Sequence, residues 1–189
     1  MKKIGLLGGT FNPPHFGHLL IANEVKNALQ LDEIHFMPAA QSPFKAKETR
    51  VTDAHRVAMV ELLTEELPAS KVETFEIERG GVSYTFDTLQ ELVSRNPGTH
   101  YSFIIGADQV EKLADWYKID QLVKLVELIG VPRPGYSLET NYPINVLSIP
   151  QLEVSSTELR ERLALGETTR FLLPEKVAAY CERNELYAN

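Results

Sequence analysis

The chain is short of several things, and each shortage closes off a class of protein. Among its 189 residues there is one cysteine, Cys181, so no internal disulfide framework supports the fold and a reducing compartment is expected. Cys181 stands in "PEKVAAYCERN", on the side of a helix that also carries Val177, where a small core residue is expected rather than a reactive thiol. No apolar run reaches the length of a membrane span. Lys2 and Lys3 before Ile4-Gly5-Leu6-Leu7 imitate a signal peptide, but the stretch stops at Gly8-Gly9 without a small-residue cleavage site. The start is therefore read as a strand, and the expected location is the cytoplasm. Basic residues are outnumbered, 19 Lys and Arg against 26 Asp and Glu, for a net charge of −7. That balance excludes a broad nucleic-acid surface. It leaves room for a small anion held by a local cluster of positive charge.

What is present is alternation. "KKIGLLGG" reads as a buried strand, "GHLLIANEVKNALQL" as a helix and "DEIHFMP" as the next strand, stopped by Pro38. "SPFKAKETRV" is a polar, basic loop. "DAHRVAMVELLTEEL" follows as a helix with Asp53 as its expected N-cap. "KVETFEIERG" alternates as a strand should, and "SYTFDTLQELVSR" is helical up to Asn96-Pro97-Gly98. "YSFIIGAD" is an apolar strand, followed by a short helix and "KIDQLVKLV"; "ELIGVPRPG" and "INVLSIP" read as two further strands. "SSTELRERLALG", with a Ser cap, and "LPEKVAAYCERN", with Pro174 in its first turn, close the chain as helices. Strands separated by single helices imply an α/β fold: a doubly wound, Rossmann-like parallel sheet covered on both faces. Residues 1–189 are expected to form one domain, with 155–189 as a C-terminal helical part.

Ligands of such sheets bind at the carboxyl ends of the strands, where strand order reverses. "GGTFNPPHFGH", Gly8 to His18, lies at the end of the first strand and the start of the first helix. Gly8 and Gly9 let backbone N–H groups approach a phosphate, and the helix N-terminus adds partial positive charge. The spacing fits neither the dinucleotide fingerprint nor the P-loop. There is no H-E-x-x-H and no nearby cysteine, so His15 and His18 are not expected to hold a metal. Far along the chain, Ser155, Ser156 and Thr157 open another helix, with Arg160 one turn on. Hydroxyls, free N–H groups and a guanidinium make a second anion cradle.

The two cradles together resemble the H-x-G-H nucleotidyltransferase superfamily, whose signatures are a G-G-[ST]-F-[DN]-P-x-H-x-G-H loop and a later S-S-T-x-x-R. "GGVSYTFDT", "FIIGADQ", "DWYKID", "VPRPG" and the terminal "NELY" sharpen this to the bacterial nicotinate-nucleotide adenylyltransferases, over essentially the whole chain. Asn12 stands where that family more often has Asp, so no acid or base role is expected there. The resemblance implies that ATP and nicotinate mononucleotide give nicotinate adenine dinucleotide and pyrophosphate. It assigns His15 and His18 to the ATP phosphates, with Arg160 beside them as a third catalytic residue. Gly8, Gly9, Thr10 and Phe11 supply a loop touched by both nucleotides, and Ser155, Ser156 and Thr157 hold the triphosphate. Gly106 and Asp108 would contact adenosine. On the acceptor side stand Thr85, Trp116 and Tyr117, with Lys45 and Arg133 as further phosphate candidates. Arg56 is a weaker ligand candidate, and His35, His55 and His100 receive no role. Mg²⁺ is expected to travel with ATP rather than occupy a protein cage. No nucleic acid or membrane partner is expected, and a homo-oligomer is compatible with the sequence. A pantetheine-phosphate adenylyltransferase or a cytidylyltransferase would share the histidine loop but lack "SYTFDT" and "DWY". A class I aminoacyl-tRNA synthetase would add a K-M-S-K-S loop and a large anticodon domain. A non-catalytic nucleotide-binding module would have no need of both histidines and Arg160.

Overall fold

Apolar residues recur along the chain with two periods, and strands and helices follow them. The computed structural model describes residues 1–41, 43 and 51–188. Strand β1 (Lys2–Gly9) leads into helix α1 (Phe16–Ala28), then β2 (Glu33–Pro38), α2 (Asp53–Thr64) and the short β3 (Ser70–Val72). Helices α3 (Phe75–Arg79) and α4 (Thr85–Arg95) precede β4 (Thr99–Gly106), which runs directly into the single turn α5 (Ala107–Val110). A 3₁₀ turn over Leu113–Asp115, α6 (Ile119–Leu125), β5 (Glu127–Val131) and β6 (Asn145–Val146) come next, and α7 (Ser156–Leu165) and α8 (Glu175–Arg183) complete the order.

All six strands pair in parallel, in the order β3-β2-β1-β4-β5-β6. Strand order therefore reverses between β1 and β4. Neighbouring strand residues point to opposite faces. Leu6, Phe103, Ile105 and Leu128 pack against Phe86, Leu89, Leu113 and Leu122 from the 84–125 region. Leu7, Ile34, Ile104 and Ile129 pack against Leu19, Ala22, Val60 and Leu63 of α1 and α2. A third cluster joins Val51 and Met59 to Leu159, Val177, Cys181 and Tyr187, so α2 is sandwiched between the sheet and the C-terminal helices. Cys181 is the expected core residue: its Sγ lies 3.5 Å from Met59 Sδ, and burial pushes its thiol up to about 12.

The structure corrects the sequence reading in four places. The 71–80 stretch is not one strand: only Ser70–Val72 pairs, and Phe75–Arg79 is a helix. Its alternation misleads because the polar Glu76 is the residue that turns inward, where Thr88 Oγ1 donates to its carboxylate at 2.8 Å. The α2 cap is Thr52, whose hydroxyl accepts the His55 N–H; Asp53 instead pairs with Arg56. Pro174 is the cap residue of α8 rather than part of its first turn. Of 144–150, only Asn145–Val146 pairs as strand.

Candidate active site

The point where strand order reverses is where the glycine-histidine loop stands. A cleft of about 730 Å³ opens over the carboxyl ends of β1 and β4. Gly8, Gly9, Thr10, Phe11, His15 and His18 line one wall, Gly106, Asp108 and Arg133 another, and Ser155, Ser156, Thr157 and Arg160 a third. Thr85 and Trp116 reach the same cleft and continue into an adjoining pocket of about 220 Å³, which Tyr117 also lines. Residues far apart in sequence are thus gathered into one space. Lys45 lies outside the described residues.

The loop's shape follows from contacts its small residues permit. The His15 and His18 rings stack with centroids 3.8 Å apart. Between them stands Gly17, where a Cβ would come within 2.9 Å of His15 Nδ1 and of Val154 Cγ1. Phe11 is buried in the left-handed region (φ 51°) and turns its ring beneath Gly9, where a Cβ would sit 3.1 Å from Phe11 Cζ. The same Phe11 ring meets His18 edge-on at 4.9 Å. His15 occupies the N-cap of α1, and its backbone N–H donates to His18 Nδ1 at 3.1 Å. An accepting Nδ1 leaves the proton of a neutral His18 on Nε2. Burial, and then the charge of Arg133, lowers the His15 pKa to about 4. Burial, His15 and Arg133 hold His18 well below the ordinary imidazole value. Both rings are therefore neutral at physiological pH.

Other side chains brace this wall. Arg56, the weaker ligand candidate of the sequence, is buried and lines the cleft, and it braces the loop by donating to Thr10 O at 2.9 Å and to Asp53 Oδ1 at 2.7 Å. Ser155 caps α7 by accepting the Glu158 N–H. Ser156 Oγ donates to Pro13 O at 2.9 Å, and Arg160 donates to Asn12 O at 2.9 Å and to Thr157 Oγ1 at 3.3 Å. The two cradles are therefore tied to one another. Asp108 and Arg133 form an ion pair of 3.0 Å.

Sequence reasoning passed over Glu76 and Tyr187, and read Asp53 only as a cap. Glu76 lines the cleft, and burial raises its pKa against the opposing bonds from Ser83 and Thr88. Tyr187 donates to Asn12 Oδ1 at 2.6 Å. Its one sequence signal was the terminal "NELY" of the resemblance. Among the described residues, the buried His15 Nδ1 and Trp116 Nε1 have no hydrogen-bond partner. No group of three or more His, Cys, Asp or Glu among them is arranged to hold a metal.

A cleft at the strand-order reversal of a parallel sheet, lined by glycines, two histidines, hydroxyls and an arginine, marks an α/β protein of the kind that takes its ligand at that point. A family model described as cytidylyltransferase-like matches residues 6–162. The nicotinate-nucleotide adenylyltransferase of Bacillus subtilis (strain 168) is 50% identical over 187 residues, spanning 99% of this chain and 99% of that one. Among the solved structures that share the fold are two of Plasmodium falciparum nicotinic acid mononucleotide adenylyltransferase. The complex with NaAD superposes with a TM-score of 0.84 at 19% identity, covering 99% of this chain and 98% of that one. The complex with APC gives 0.82 at 18% identity, with the same coverage. The chain belongs to the cytidylyltransferase-like family of nucleotidyltransferases and, within it, to the nicotinate-nucleotide adenylyltransferases.

Proposed function

We propose that the chain transfers the adenylyl group of ATP to nicotinate mononucleotide, giving nicotinate adenine dinucleotide and pyrophosphate, a step of NAD biosynthesis. The observation that carries this reading is the meeting of the histidine loop and the Ser155–Arg160 cradle across one cleft. A phosphate oxygen of the acceptor attacks the α-phosphorus of ATP, and the bond from that phosphorus to the bridging oxygen breaks in line. The electron pair leaves with pyrophosphate. The attacking oxygen is already an anion near neutral pH, so no general base is required. The work left to the protein is positioning and stabilisation of charge on the α-phosphoryl and leaving oxygens.

The neutral His18 donates from Nε2 to the α-phosphoryl group, with His15 alongside. Gly8 to Phe11 offer backbone N–H groups, while Ser155, Ser156, Thr157 and Arg160 hold the triphosphate. Gly106 and Asp108 face adenosine; a Cβ at Gly106 would stand 2.7 Å from Asp108 Oδ1, so glycine keeps that carboxylate in place. Arg133 exchanges Asp108 for phosphate, and Lys45 is a second phosphate candidate. Trp116 stacks on the nicotinate ring, while Thr85 at the start of α4 and the backbone near Tyr117 donate to its carboxylate. Mg²⁺ carried with ATP would offset phosphate charge, and the described residues offer it no carboxylate cage of their own. No helix among the described residues is long and apolar enough to cross a membrane, and a reaction on soluble nucleotides, in a chain with one buried thiol, fits the cytoplasm.

Pyrophosphate release measured over a panel of acceptors tests the reading. A donor-lined pocket leaves the NH₂ of a carboxamide unpaired, so nicotinate mononucleotide should exceed the amide nucleotide by at least ~10² in kcat/KM. Equal use of the two would overturn the donor-only pocket. Release with pantetheine phosphate or with CTP alone would assign a different member of the family.

A further inference from the structure

Four hydrogen bonds join residues 156–187 to the segment 12–16 that leads into the histidines. Ser156 and Arg160 supply two, and the Phe16 N–H donates to Leu172 O at 3.1 Å. The fourth is the shortest and spans 175 positions: the Tyr187 hydroxyl donates to Asn12 Oδ1 at 2.6 Å. Both partners are buried, with Asn12 3% and Tyr187 8% exposed. The Tyr187 ring belongs to the cluster of Leu159, Val177, Cys181 and Leu186, and it does not line the cleft. Asn12 does line it. A phenol set in an apolar cluster thus aims its oxygen at a side chain of the loop, beside the Ser156 and Arg160 side chains that hold the loop's backbone carbonyls.

We infer that Tyr187 is a positioning residue for the adenylyl transfer: its hydroxyl fixes the Asn12 side chain and, through Pro13-Pro14, the seat of His15 and His18. Proline locks φ, so a displacement at Asn12 passes along the pair instead of being absorbed by it. The consequence for catalysis rests on the function proposed above. The Tyr187 hydroxyl can donate to a side-chain oxygen of Asn or of Asp at position 12. The bond thus explains a side-chain oxygen at this position without an acid or base role.

Tyr187→Phe keeps the ring and removes the donor. Loss of one buried hydrogen bond at the root of the loop should lower kcat about tenfold. KM for ATP and for the acceptor should stay within about twofold, because the bond serves the transition-state donor rather than substrate binding. In an Asn12→Ala background the loss from Tyr187→Phe should shrink, whereas in Asn12→Asp it should remain costly. Assays held well below each variant's melting midpoint separate this from loss of fold. Amide exchange over residues 12–18 gives a readout independent of turnover: Tyr187→Phe should speed it there and leave α4 unchanged. Unchanged kcat with unchanged loop exchange would overturn the inference, as would an equal loss in the Asn12→Ala background. If the wild type fails to use nicotinate mononucleotide, the functional reading falls and the exchange arm still decides the role of Tyr187.

Discussion

At the histidine end of the cleft polar atoms are held by polar atoms inside the protein; at the Trp116 end aromatic faces meet one another and the solvent. Thr10, Asn12 and Pro13 each have a backbone carbonyl bonded to a distant side chain, from Arg56, Arg160 and Ser156. Around Trp116 the contacts are rings and cations. Tyr84 and Tyr117 lie 5.0 Å apart, and Lys118 Nζ stands 4.8 Å over both Phe86 and Tyr117. Tyr84 and Tyr117 are 40% and 46% exposed. Directional bonds fix atoms to fractions of an ångström, which in-line phosphoryl chemistry demands. Aromatic packing tolerates sliding, and a planar ring needs no more than a face and a few donors. On the function proposed above, one end suits transition-state geometry and the other recognition.

The sharpest way to break this contrast is His18→Ala. If the histidine end acts mainly in the transition state, the variant should stay folded and lose ~10²–10³ in kcat, the scale for one preorganised donor. Circular dichroism and single-turnover rates check it, and near-normal turnover in a folded variant would abolish the distinction between the ends.

The next effect is on stability. An unfolded imidazole titrates near 6.5, whereas burial and Arg133 hold His15 at about 4. Between those values the unfolded chain binds a proton that the folded chain refuses, so stability rises with pH through the window and is level above it. Acidification from pH 7 to 4 should remove about 3 kcal/mol through His15, at 1.36 kcal/mol per unit. Glu76, near Ser83 and Thr88, works in the opposite sense: its carboxyl pKa is raised mainly by burial, so its contribution falls as pH rises through that value. In denaturant melts at pH 7 and 4.5 the wild type should lose about 2–3 kcal/mol more than His15→Gln on acidification; parallel pH dependence would show that His15 carries no such linkage.

The smallest effect belongs to the aromatic end. Trp116→Ala should weaken the acid and amide nucleotides alike, by the ~1–3 kcal/mol typical of base–aromatic stacking. Discrimination between them should persist, since the donors near Thr85 set it. Paired kcat and KM values for both nucleotides decide this, and a collapsed acid/amide ratio would move specificity onto the ring.

How much of this was legible beforehand depended on how local the signal was. The two cradles were readable because each is a short run of chemistry at a helix start, and the parallel sheet because strand and helix periods alternate. Residues 71–80 misled because a polar residue, Glu76, is the buried one, so polarity and burial part company there. Arg56 reads only as a weaker ligand candidate until the fold sets it under Thr10, where it braces the loop. The bond between Asn12 and Tyr187 has no local trace, since both partners acquire meaning only when the chain has closed upon itself.

That closure also bears on the order of assembly. β1 meets β2 through pairs such as Ile4↔Glu33, but it meets β4 only through Lys2↔Thr99 and its successors. Contacts between distant positions carry the greater loop-closure entropy and tend to form late. The contact between positions 12 and 187 is among the most distant the chain can make. The sheet can therefore gather before the loop that it presents acquires its final shape. On the proposed function, a nucleotide that binds only the finished loop would shift the equilibrium toward it by mass action, so substrate and the segment that carries Tyr187 would support the same loop from opposite sides.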